Sequence, residues 1–337
     1  MRSKIPFLIL IAIVLSGLLI QCSSPLNKDY DLQGFQLRVG TVPAIVEGLN
    51  HTAYEEGLYD ELGLDVSLIV NPDGRSNLLQ VLSGELDIGG TMATPTIYQA
   101  INGEEFKIIA KVQYQYPIHD GVGRIDRGIT KDPQSLVGKT VATLLGTSAH
   151  YHFDSWLLYN GIDISQLNIV DIPAPEGLEA LENGEVDAMF YWFPFNAMAS
   201  QSLGENAVNF FGEDLVPSSW VYVARTDFIE ENPDVIEAFL FALLEAKQVY
   251  DNELDASASA HSIYSGVEES ILLPAFQQMK YDLVLDQALL SDMEYQTEWF
   301  QQEGYFEIDE VPYYPDFIYP DALMKLAPAN ITILFDN

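Results

Sequence analysis

The sequence predicts an α/β protein built as two lobes of matching design on mostly parallel sheets, and two observations support this prediction. First, residues 78–87 recur 100 positions later at 178–187, each time as an apolar stripe at helical spacing that ends at a glycine, Gly84 or Gly184. Second, strand-like and helix-like segments alternate along both halves. Residues 90–95 and 190–195 are therefore expected at carboxyl ends of strands, where open α/β folds bind ligands.

The first alternation has predicted strands at 37–40, 64–70, 86–89 and 107–113, separated by helical patterns at 46–62, 76–83 and 95–101. The second has strands at 139–144, 167–172 and 186–190 with helices at 151–159 and 176–182. Right-handed crossovers place the helices on the faces of the two sheets. Asp87 and Asp187, beside the Gly-Glu turns, are interpreted as turn or strand-edge residues rather than as an acid–base pair.

Helices dominate after a further predicted strand at 221–225. Asn232 is a favourable N-cap and Pro233 a favourable first helical residue, and apolar residues follow at helical spacing from Ile236. Another helix is predicted over 283–302, with Gly304 past its end. The segment 311–320 is rich in Tyr and Pro and is expected to wrap the surface.

The N-terminus indicates export. Arg2 and Lys4 precede an apolar run that is shorter than the roughly 20 residues of a transmembrane helix, so residues 1–21 are predicted to be a signal peptide. Cys22 is the only cysteine and follows directly, where bacterial lipoproteins are cleaved and acylated, so residues 22–35 are predicted to be a lipid anchor and tether. Gln21 stands where a small residue is usual, and an uncleaved or differently cleaved signal anchor is the alternative.

The charge balance excludes some partners. The chain has 15 basic and 50 acidic side chains, a net charge of −35. Repulsion excludes nucleic acid, and it excludes membrane attachment through a basic patch, which leaves a lipid on Cys22 as the anchor. We interpret the acidity as a solubility feature suited to a saline habitat. Apolar residues make up 48% of the chain, enough for a sizeable core, and the length suggests two domains.

Hydroxyl groups stand at two predicted helix starts. Gly146, Thr147 and Ser148 follow a strand and open a helix, so their backbone N–H groups and hydroxyls can face an anion. Thr91 and Thr94 are expected to do the same in the other lobe. Two facing helix N-termini would bind sulfonate, nitrate or phosphate without a catalytic base. The alternative is that Thr147 and Ser148 only cap their own helix.

Aromatic side chains crowd the same strand ends. Large rings with polar edges suit a small ligand held between two lobes, and the candidates are Tyr114, Tyr116, Tyr151, Tyr191, Trp192 and Trp220. The alternative is a place in the core, because 12% of the chain is aromatic. We expect ligand contact first from Tyr191, Trp192 and Trp220.

Motifs for catalysis are missing from the pattern. The segment 138–140 (GKT) resembles the end of a phosphate-binding loop, but Pro133 occupies the position where that motif requires glycine. His150 and His152 are two residues apart, so on a helix they point to different sides and cannot share a metal. A helix surface and a cleft rim are their expected places. We therefore predict no catalytic residue, no metal and no cofactor.

The order of these elements and several motifs resemble the substrate-binding proteins of bacterial ABC importers, in the branch that serves sulfonates, taurine, nitrate and thiamine-pyrimidine precursors. The resemblance covers residues 37–303. It is carried by Gly40-Thr41, 56–59 (EGLY), 82–89 (LSGELDIG), 136–142 (LVGKTVA), Gly146-Thr147-Ser148, the repeat at 184–188, 192–195 (WFPF) and 228–233 (FIEENP).

This resemblance implies the type II periplasmic-binding-protein fold, in which two α/β lobes enclose a ligand cleft. Lobe one would comprise residues 36–114 and 217–337, the latter with the C-terminal helices, and lobe two residues 115–216, with crossings near 113–117 and 215–219. Closure of the lobes by a hinge is expected on binding. Ligand contacts are expected from Thr41, Pro43, Thr91, Met92, Ala93, Thr94, Tyr114, Gly146, Thr147, Ser148, Tyr151, Tyr191, Trp192 and Trp220.

The function that the resemblance implies is solute capture on the periplasmic or extracellular face of the membrane by a lipid-anchored monomer that serves an ABC permease and its ATPase. A small anion fits the helix N-termini, whereas a heteroaromatic such as a thiamine-pyrimidine precursor fits the aromatic residues. Phe193 follows Trp192 where relatives often have an acid, which disfavours a ligand with an ammonium end. Two other functions stay open: an enzyme of the same fold, like a thiamine-pyrimidine-precursor synthase or a menaquinone-pathway enzyme, or the ligand-sensing lobe pair of a membrane signalling system.

Overall fold

The computed structural model describes residues 30–113, 119–211, 219–305 and 311–334. The predicted signal peptide, Cys22, and the two tyrosines Tyr114 and Tyr116 lie outside the described residues. The first elements of the chain alternate as predicted: β1 (Phe35–Thr41), α1 (Gly48–Glu55), α2 (Leu58–Glu61), β2 (Leu64–Val70), α3 (Gly74–Ser83), β3 (Ile88–Met92), α4 (Ala93–Ile101) and β4 (Lys107–Gln113).

A second alternation follows, and after it the chain is mostly helical. The second alternation comprises β5 (His119–Arg124), β6 (Thr140–Thr143), α5 (Ser148–Tyr159), β7 (Asn168–Asp171), α6 (Ala174–Asn183), β8 (Ala188–Trp192), α7 (Phe195–Leu203) and β9 (Ala207–Phe211). The remainder comprises β10 (Trp220–Ala224), α8 (Thr226–Glu231), α9 (Pro233–Asn252), α10 (Leu254–Ser265), α11 (Glu269–Phe276), β11 (Asp282–Val284), α12 (Gln287–Gln302) and α13 (Asp321–Leu326).

Two sheets divide the chain into two lobes. Lobe one holds a sheet in the order β11-β4-β10-β3-β1-β2, and lobe two a sheet in the order β7-β6-β8-β5-β9. β1 pairs in parallel with β2 and β3, and β6 with β7 and β8. The two-lobed α/β fold is confirmed, but the sheets are mixed rather than mostly parallel. The reason is that β5 and β10, the first strands after each passage between lobes, insert antiparallel between two other strands.

The repeat at an offset of 100 residues forms the same local structure in both lobes. α3 and α6 each end at the glycine of the repeat, with φ of 81° and 73°, in the left-handed region that glycine adopts without strain. Oδ2 of Asp87 accepts the backbone N–H of Arg38 at 2.8 Å, and Oδ2 of Asp187 accepts that of Thr140 at 2.9 Å. Each aspartate therefore ties the repeat to the neighbouring strand, β1 or β6, as a strand-edge residue.

Two predicted helices differ from the structure. The helix predicted over 46–62 is a 3-10 turn (Ile45–Glu47) followed by α1 and α2, which Gly57 separates with a φ of 71°. The helix predicted from 283 begins later, because its first residues pair with β4 as strand β11. Asp286 then caps α12, since its carboxylate accepts the N–H of Leu289 at 3.0 Å.

The C-terminal tail is docked more deeply than a surface wrap. Tyr314 is buried and its hydroxyl bonds with that of Thr297 on α12, while Ile318 forms a bridge with Ile108 of β4. The tail therefore completes the core of lobe one. Across the described ranges, no helix combines the length and the apolar character that a bilayer crossing requires.

Candidate functional site

A cavity lies between the two lobes. Apolar side chains predominate in its lining, and the polar ones gather where α3 and α5 begin. Lobe one supplies Val42, Ala44, Ile45, Val46, Asp73, Gly74, Arg75, Met92, Pro95 and Trp220. Lobe two supplies His119, Thr147, Ser148, Trp192 and Phe193.

The start of α5 supplies the polar groups of lobe two. Thr147 is the N-cap residue but makes no capping hydrogen bond, because its hydroxyl donates to the carbonyl of Leu144 at 2.6 Å. Ser148 lies one position inside the helix, and its Oγ is 2.9 Å from Nε2 of His119. The hydroxyl of Thr147 therefore does not cap α5. Since the first N–H groups of an α-helix have no intrahelical acceptor, this end of the cavity is electropositive.

Arg75 brings a positive charge to the same place from lobe one. It lies in the first turn of α3, whose N-cap Asp73 accepts the N–H of Ser76 at 2.8 Å. Nη1 of Arg75 donates to the carbonyl of Leu145, just before α5, at 2.8 Å. Within the described ranges, Arg75 is not part of any ion pair. The guanidinium therefore joins the lobes and lies in the lining of the cavity.

Trp220, in the apolar wall, is anchored by a buried carboxylate. Its indole N–H donates to Oε1 of Glu47 at 3.1 Å, while Oε2 accepts from Tyr222 at 3.0 Å and from Asn50 at 2.7 Å. Burial raises the pKa of Glu47 to about 7, against the opposing effect of these hydrogen bonds. A Cβ at Gly90 would collide with Oε1 of Glu47. The absence of a side chain at position 90 is thus what leaves room for the carboxylate behind the cavity wall.

The structure brings part of the predicted site together. The predicted ligand residues that line the cavity are Met92, Thr147, Ser148, Trp192 and Trp220. Pro43, Ala93 and Gly146 are chain neighbours of lining residues but are not in the lining themselves. Tyr114 lies outside the described residues.

The predicted threonines of lobe one are not in the cavity lining, and their hydroxyls bond within lobe one. The Thr94 hydroxyl donates to Oε1 of Gln296 at 2.7 Å, and that of Thr91 points to the carbonyl of Met92 at 3.4 Å. Oγ1 of Thr41 is 2.8 Å from Nε2 of His51. The expected partner of α5 is therefore corrected: the start of α3, rather than that of α4, supplies the polar groups of lobe one.

Two predicted tyrosines also lie outside the lining. The ring of Tyr191 occupies the space beside Gly177 on α6, where a Cβ would lie 2.5 Å from it, and its hydroxyl donates to the carbonyl of Ile172 at 2.8 Å. Tyr151 packs edge-on against Trp299, with ring centroids 5.0 Å apart. Tyr191 is a packing residue of lobe two, and Tyr151 belongs to the contact between α5 and α12.

Some lining residues went undetected in the sequence, notably Asp73, Arg75 and His119. The turn at 71–74 (NPDG) directly follows the strand of residues 64–70, so the rule for carboxyl ends of strands also marks Asp73 and Arg75. No pattern marks His119, because its partner Ser148 is 29 residues away in the chain.

The lobes also meet outside the cavity, where α12 of lobe one touches α5 of lobe two. Nε1 of Trp299 donates to Oδ2 of Asp154 at 2.7 Å, and the hydroxyl of Tyr305 is 2.8 Å from Nε2 of His150. These contacts bury His150, which was expected on a helix surface. Together with the Arg75 bond they join the two lobes.

Burial shifts several titratable groups in opposite directions. All five histidines have a lowered pKa, chiefly because burial disfavours the charged ring: His150 to about 4, His152 and His261 to about 3, and His51 and His119 well below the ordinary value. Burial raises the pKa of three carboxyls: Glu47 to about 7, and Asp154 and Asp292 to about 6.

Acidification from pH 6.5 to 5.5 is expected to lower the free energy of unfolding by roughly 3 kcal/mol. The unfolded chain protonates its five histidines in this range while the native state keeps them neutral. The three buried carboxyls take up protons in the native state and offset part of this, which leaves an excess of about two protons on the unfolded chain. The stabilisation from the neutral histidines is thus present above their unfolded pKa of about 6.5 and is lost as the pH falls below it. Denaturant titrations at both pH values measure it.

The variant His152→Gln provides the control for this prediction, because it removes one depressed histidine. On acidification, the free energy of unfolding of this variant should fall less steeply than that of the natural protein, by about 1.4 kcal/mol per pH unit. The reason is that its unfolded chain takes up about one proton fewer. A free energy of unfolding that stays constant or rises on acidification would contradict the assignment of the histidines as neutral in the folded state.

Comparison with solved structures identifies the class of fold. The alkanesulfonate-binding protein SsuA from Xanthomonas axonopodis pv. citri, solved bound to MOPS, superposes with a TM-score of 0.74 at 16% identity, over 85% of this chain and 99% of that chain. Two α/β lobes around a central cavity are thus the periplasmic-binding-protein fold, as the sequence resemblance implied.

Comparison of sequences identifies the family. The NMT1/THI5-like family model matches residues 50–253, more than half of the chain, and the chain belongs to that family. The taurine-binding periplasmic protein of Escherichia coli is 27% identical over 181 residues, which cover 52% of this chain and 55% of that protein. A putative aliphatic sulfonates-binding protein of Bacillus subtilis is 24% identical over 250 residues, covering 72% and 75%.

Proposed function

We propose that the protein is the exported solute-binding component of an ABC importer, and that it captures a small sulfonate-like anion with an apolar body between its lobes. The observation that carries the proposal is the meeting of Arg75 with the start of α5 at one end of an otherwise apolar cavity. Curated relatives are named for binding taurine or aliphatic sulfonates, which supports this class of ligand.

The anionic head has a defined place in this proposal. Arg75 offers guanidinium donors from one lobe, and Ser148 with the first N–H groups of α5 offers donors from the other. A head group bound by both lobes stabilises the closed arrangement over an open one, which is the basis of capture by lobe closure.

The body of the ligand would lie against Trp192, Phe193 and Trp220, so apolar bodies are favoured over small inorganic anions. Asp73 is the acid among the described residues of the lining, and its carboxylate already accepts from Ser76 as the cap of α3. We expect an ammonium end, as in taurine, to bind more weakly than an apolar tail of the same length.

The proposal includes a lipid anchor at Cys22 on the outer face of the membrane, with an ABC permease and its ATPase as partners. The basic residues Arg2 and Lys4, the short apolar run and the single cysteine support the anchor. Fractionation of cells that express the natural chain or Cys22→Ser tests it, since only the natural chain should stay with the membrane.

Thermal melting against a ligand panel tests the proposed function. A chain of residues 29–337 contains every described element, and the panel would include linear alkanesulfonates, taurine, nitrate, phosphate, bicarbonate, pyrimidine precursors and riboflavin. A ligand at about 100 times its dissociation constant adds roughly 2.7 kcal/mol and raises the melting midpoint by a few degrees. We expect this shift with alkanesulfonates.

The matched control ligand is the alcohol of the same chain length, which keeps the apolar body of the alkanesulfonate but lacks its charge. At the same concentration it should not shift the melting midpoint. An equal shift with the alcohol would contradict anion capture and favour a purely apolar ligand. A shift with a pyrimidine precursor alone would favour the heteroaromatic alternative.

A further inference from the structure

His119 and Ser148 form a buried polar pair in the cavity wall. His119 is the first residue of β5 and Ser148 the first of α5, and their Nε2 and Oγ atoms are 2.9 Å apart. Both side chains line the cavity, and the two residues are only 3% and 4% exposed. The contact therefore lies where the proposed anionic head would bind.

The direction of the proton in this contact decides what Ser148 offers to a ligand. The hydroxyl has one proton. If it donates that proton to Nε2, the hydroxyl presents only lone pairs to the cavity, and these repel an anion. If Nε2 has the proton and donates to Oγ, the hydroxyl proton of Ser148 is free to point at the ligand.

His152 holds the ring of His119 in place. It lies one helical turn after Ser148 on α5, and its ring stacks on that of His119 with centroids 4.2 Å apart and an angle of 20° between the planes. Ser148 and His152 thus contact the same imidazole from one face of the helix. This clamp fixes the plane in which Nε2 meets Oγ.

We propose that His119 is a positioning residue for ligand recognition: it donates from Nε2 to Oγ of Ser148 and so directs the Ser148 hydroxyl proton to the anionic head. The inference deepens the proposed function and rests on it for the ligand. His119 would thus contribute to the affinity for the anion through Ser148 rather than through direct contact with the anion.

A double-mutant cycle tests this with 1-pentanesulfonate as the probe and calorimetric titration as the measurement. His119→Phe keeps a ring but removes the donor, and Ser148→Ala removes the hydroxyl. Each is expected to weaken binding at least about tenfold, and the double variant no further than Ser148→Ala alone. His119→Gln, whose amide nitrogen can occupy the place of Nε2, should bind within about threefold of the natural protein.

Two results would overturn the proposal: additive losses in the double variant, or unchanged binding by His119→Phe while Ser148→Ala binds weakly. If His119→Phe does not fold, the comparison of His119→Gln with His119→Asn replaces it, because the shorter amide places its donor at Nδ1 rather than Nε2. Equal affinities of these two variants would then contradict a role for the Nε2 proton.

The nitrogen-15 chemical shifts of the His119 ring separate this inference from the proposed function, because they show which ring nitrogen is protonated. We expect a protonated Nε2 with and without pentanesulfonate. An unprotonated Nε2 overturns the inference even if the sulfonate binds. A protonated Nε2 in a protein that binds no anion supports the hydrogen-bond direction and overturns the proposed function instead.

Discussion

Arg75→Met is expected to weaken binding of an alkanesulfonate about 100-fold, or roughly 3 kcal/mol. The guanidinium is half-buried at the cavity, and its removal deletes both the counter-charge of the ligand and the hydrogen bond to Leu145 that joins the lobes. Arg75→Lys keeps the charge but loses the planar donor set, so its affinity for the sulfonate should lie between those of the natural protein and Arg75→Met. Calorimetric titration of the three proteins with the same sulfonate measures the series.

Arg127→Met is the matched control for this experiment. Arg127 also donates to a backbone carbonyl, that of Gly184 at 2.7 Å, but it is exposed and is not in the cavity lining. Arg127→Met changes the net charge of the protein by the same amount as Arg75→Met. The comparison therefore corrects for long-range repulsion between the acidic protein and the anion. Equal losses in both variants, or no loss in Arg75→Met, would show that the anion does not bind at the start of α5.

Gly90→Ala is expected to destabilise the fold by about 4 kcal/mol, the largest effect on stability that we predict. The added methyl group would collide with Oε1 of Glu47 and lie 2.7 Å from Cζ2 of Trp220. Moving the carboxylate leaves a buried acid and the Trp220 indole N–H without their bond. The free energy of unfolding from a denaturant titration measures the cost.

The control for Gly90→Ala is the same substitution at Gly103. Among the described residues, apart from its chain neighbours, no atom lies within 4 Å of the added Cβ there, and only the positive φ of 79° opposes the substitution. A cost of about 1 kcal/mol is expected there. Adding Glu47→Ala to Gly90→Ala should recover part of the loss, because the two changes compete for one space. Similar costs for both glycine substitutions would refute the packing argument.

Local signals predicted the parts of the fold that depend on a few consecutive residues. An apolar stripe at helical spacing, then a glycine, then an apolar run together indicate a helix with a glycine cap and a strand after it. The structure has this arrangement in both lobes. The start of α5 was likewise visible as a strand followed by Gly146, Thr147 and Ser148. What these hydroxyls bond could not be read in the same way, since Ser148 meets a histidine from another strand.

The hydroxyls of lobe one show why the rest of the site was not predictable. Thr94 does lie at the start of α4, but its hydroxyl donates to Gln296, 202 residues away on α12. Likewise, Tyr191 follows the repeat yet packs beside Gly177, which the pattern of α6 does not distinguish from a surface position. In both cases a distant segment decides where the side chain points, and a single sequence has no record of that contact.

The position of β10 in the sheet of lobe one affects the order in which the two lobes can complete their sheets. β10 separates β3 from β4, although the whole of lobe two lies between them and β10 in the sequence. When the chain is exported with its N-terminus first, as the proposed signal peptide implies, every strand of lobe two leaves the membrane before β10 does. Lobe one meanwhile waits with the edges of β3 and β4 unpaired, a state prone to aggregation. The lobe that begins the sequence is therefore the last that can complete its sheet, and the open edges of β3 and β4 need protection until residue 224 is available for pairing.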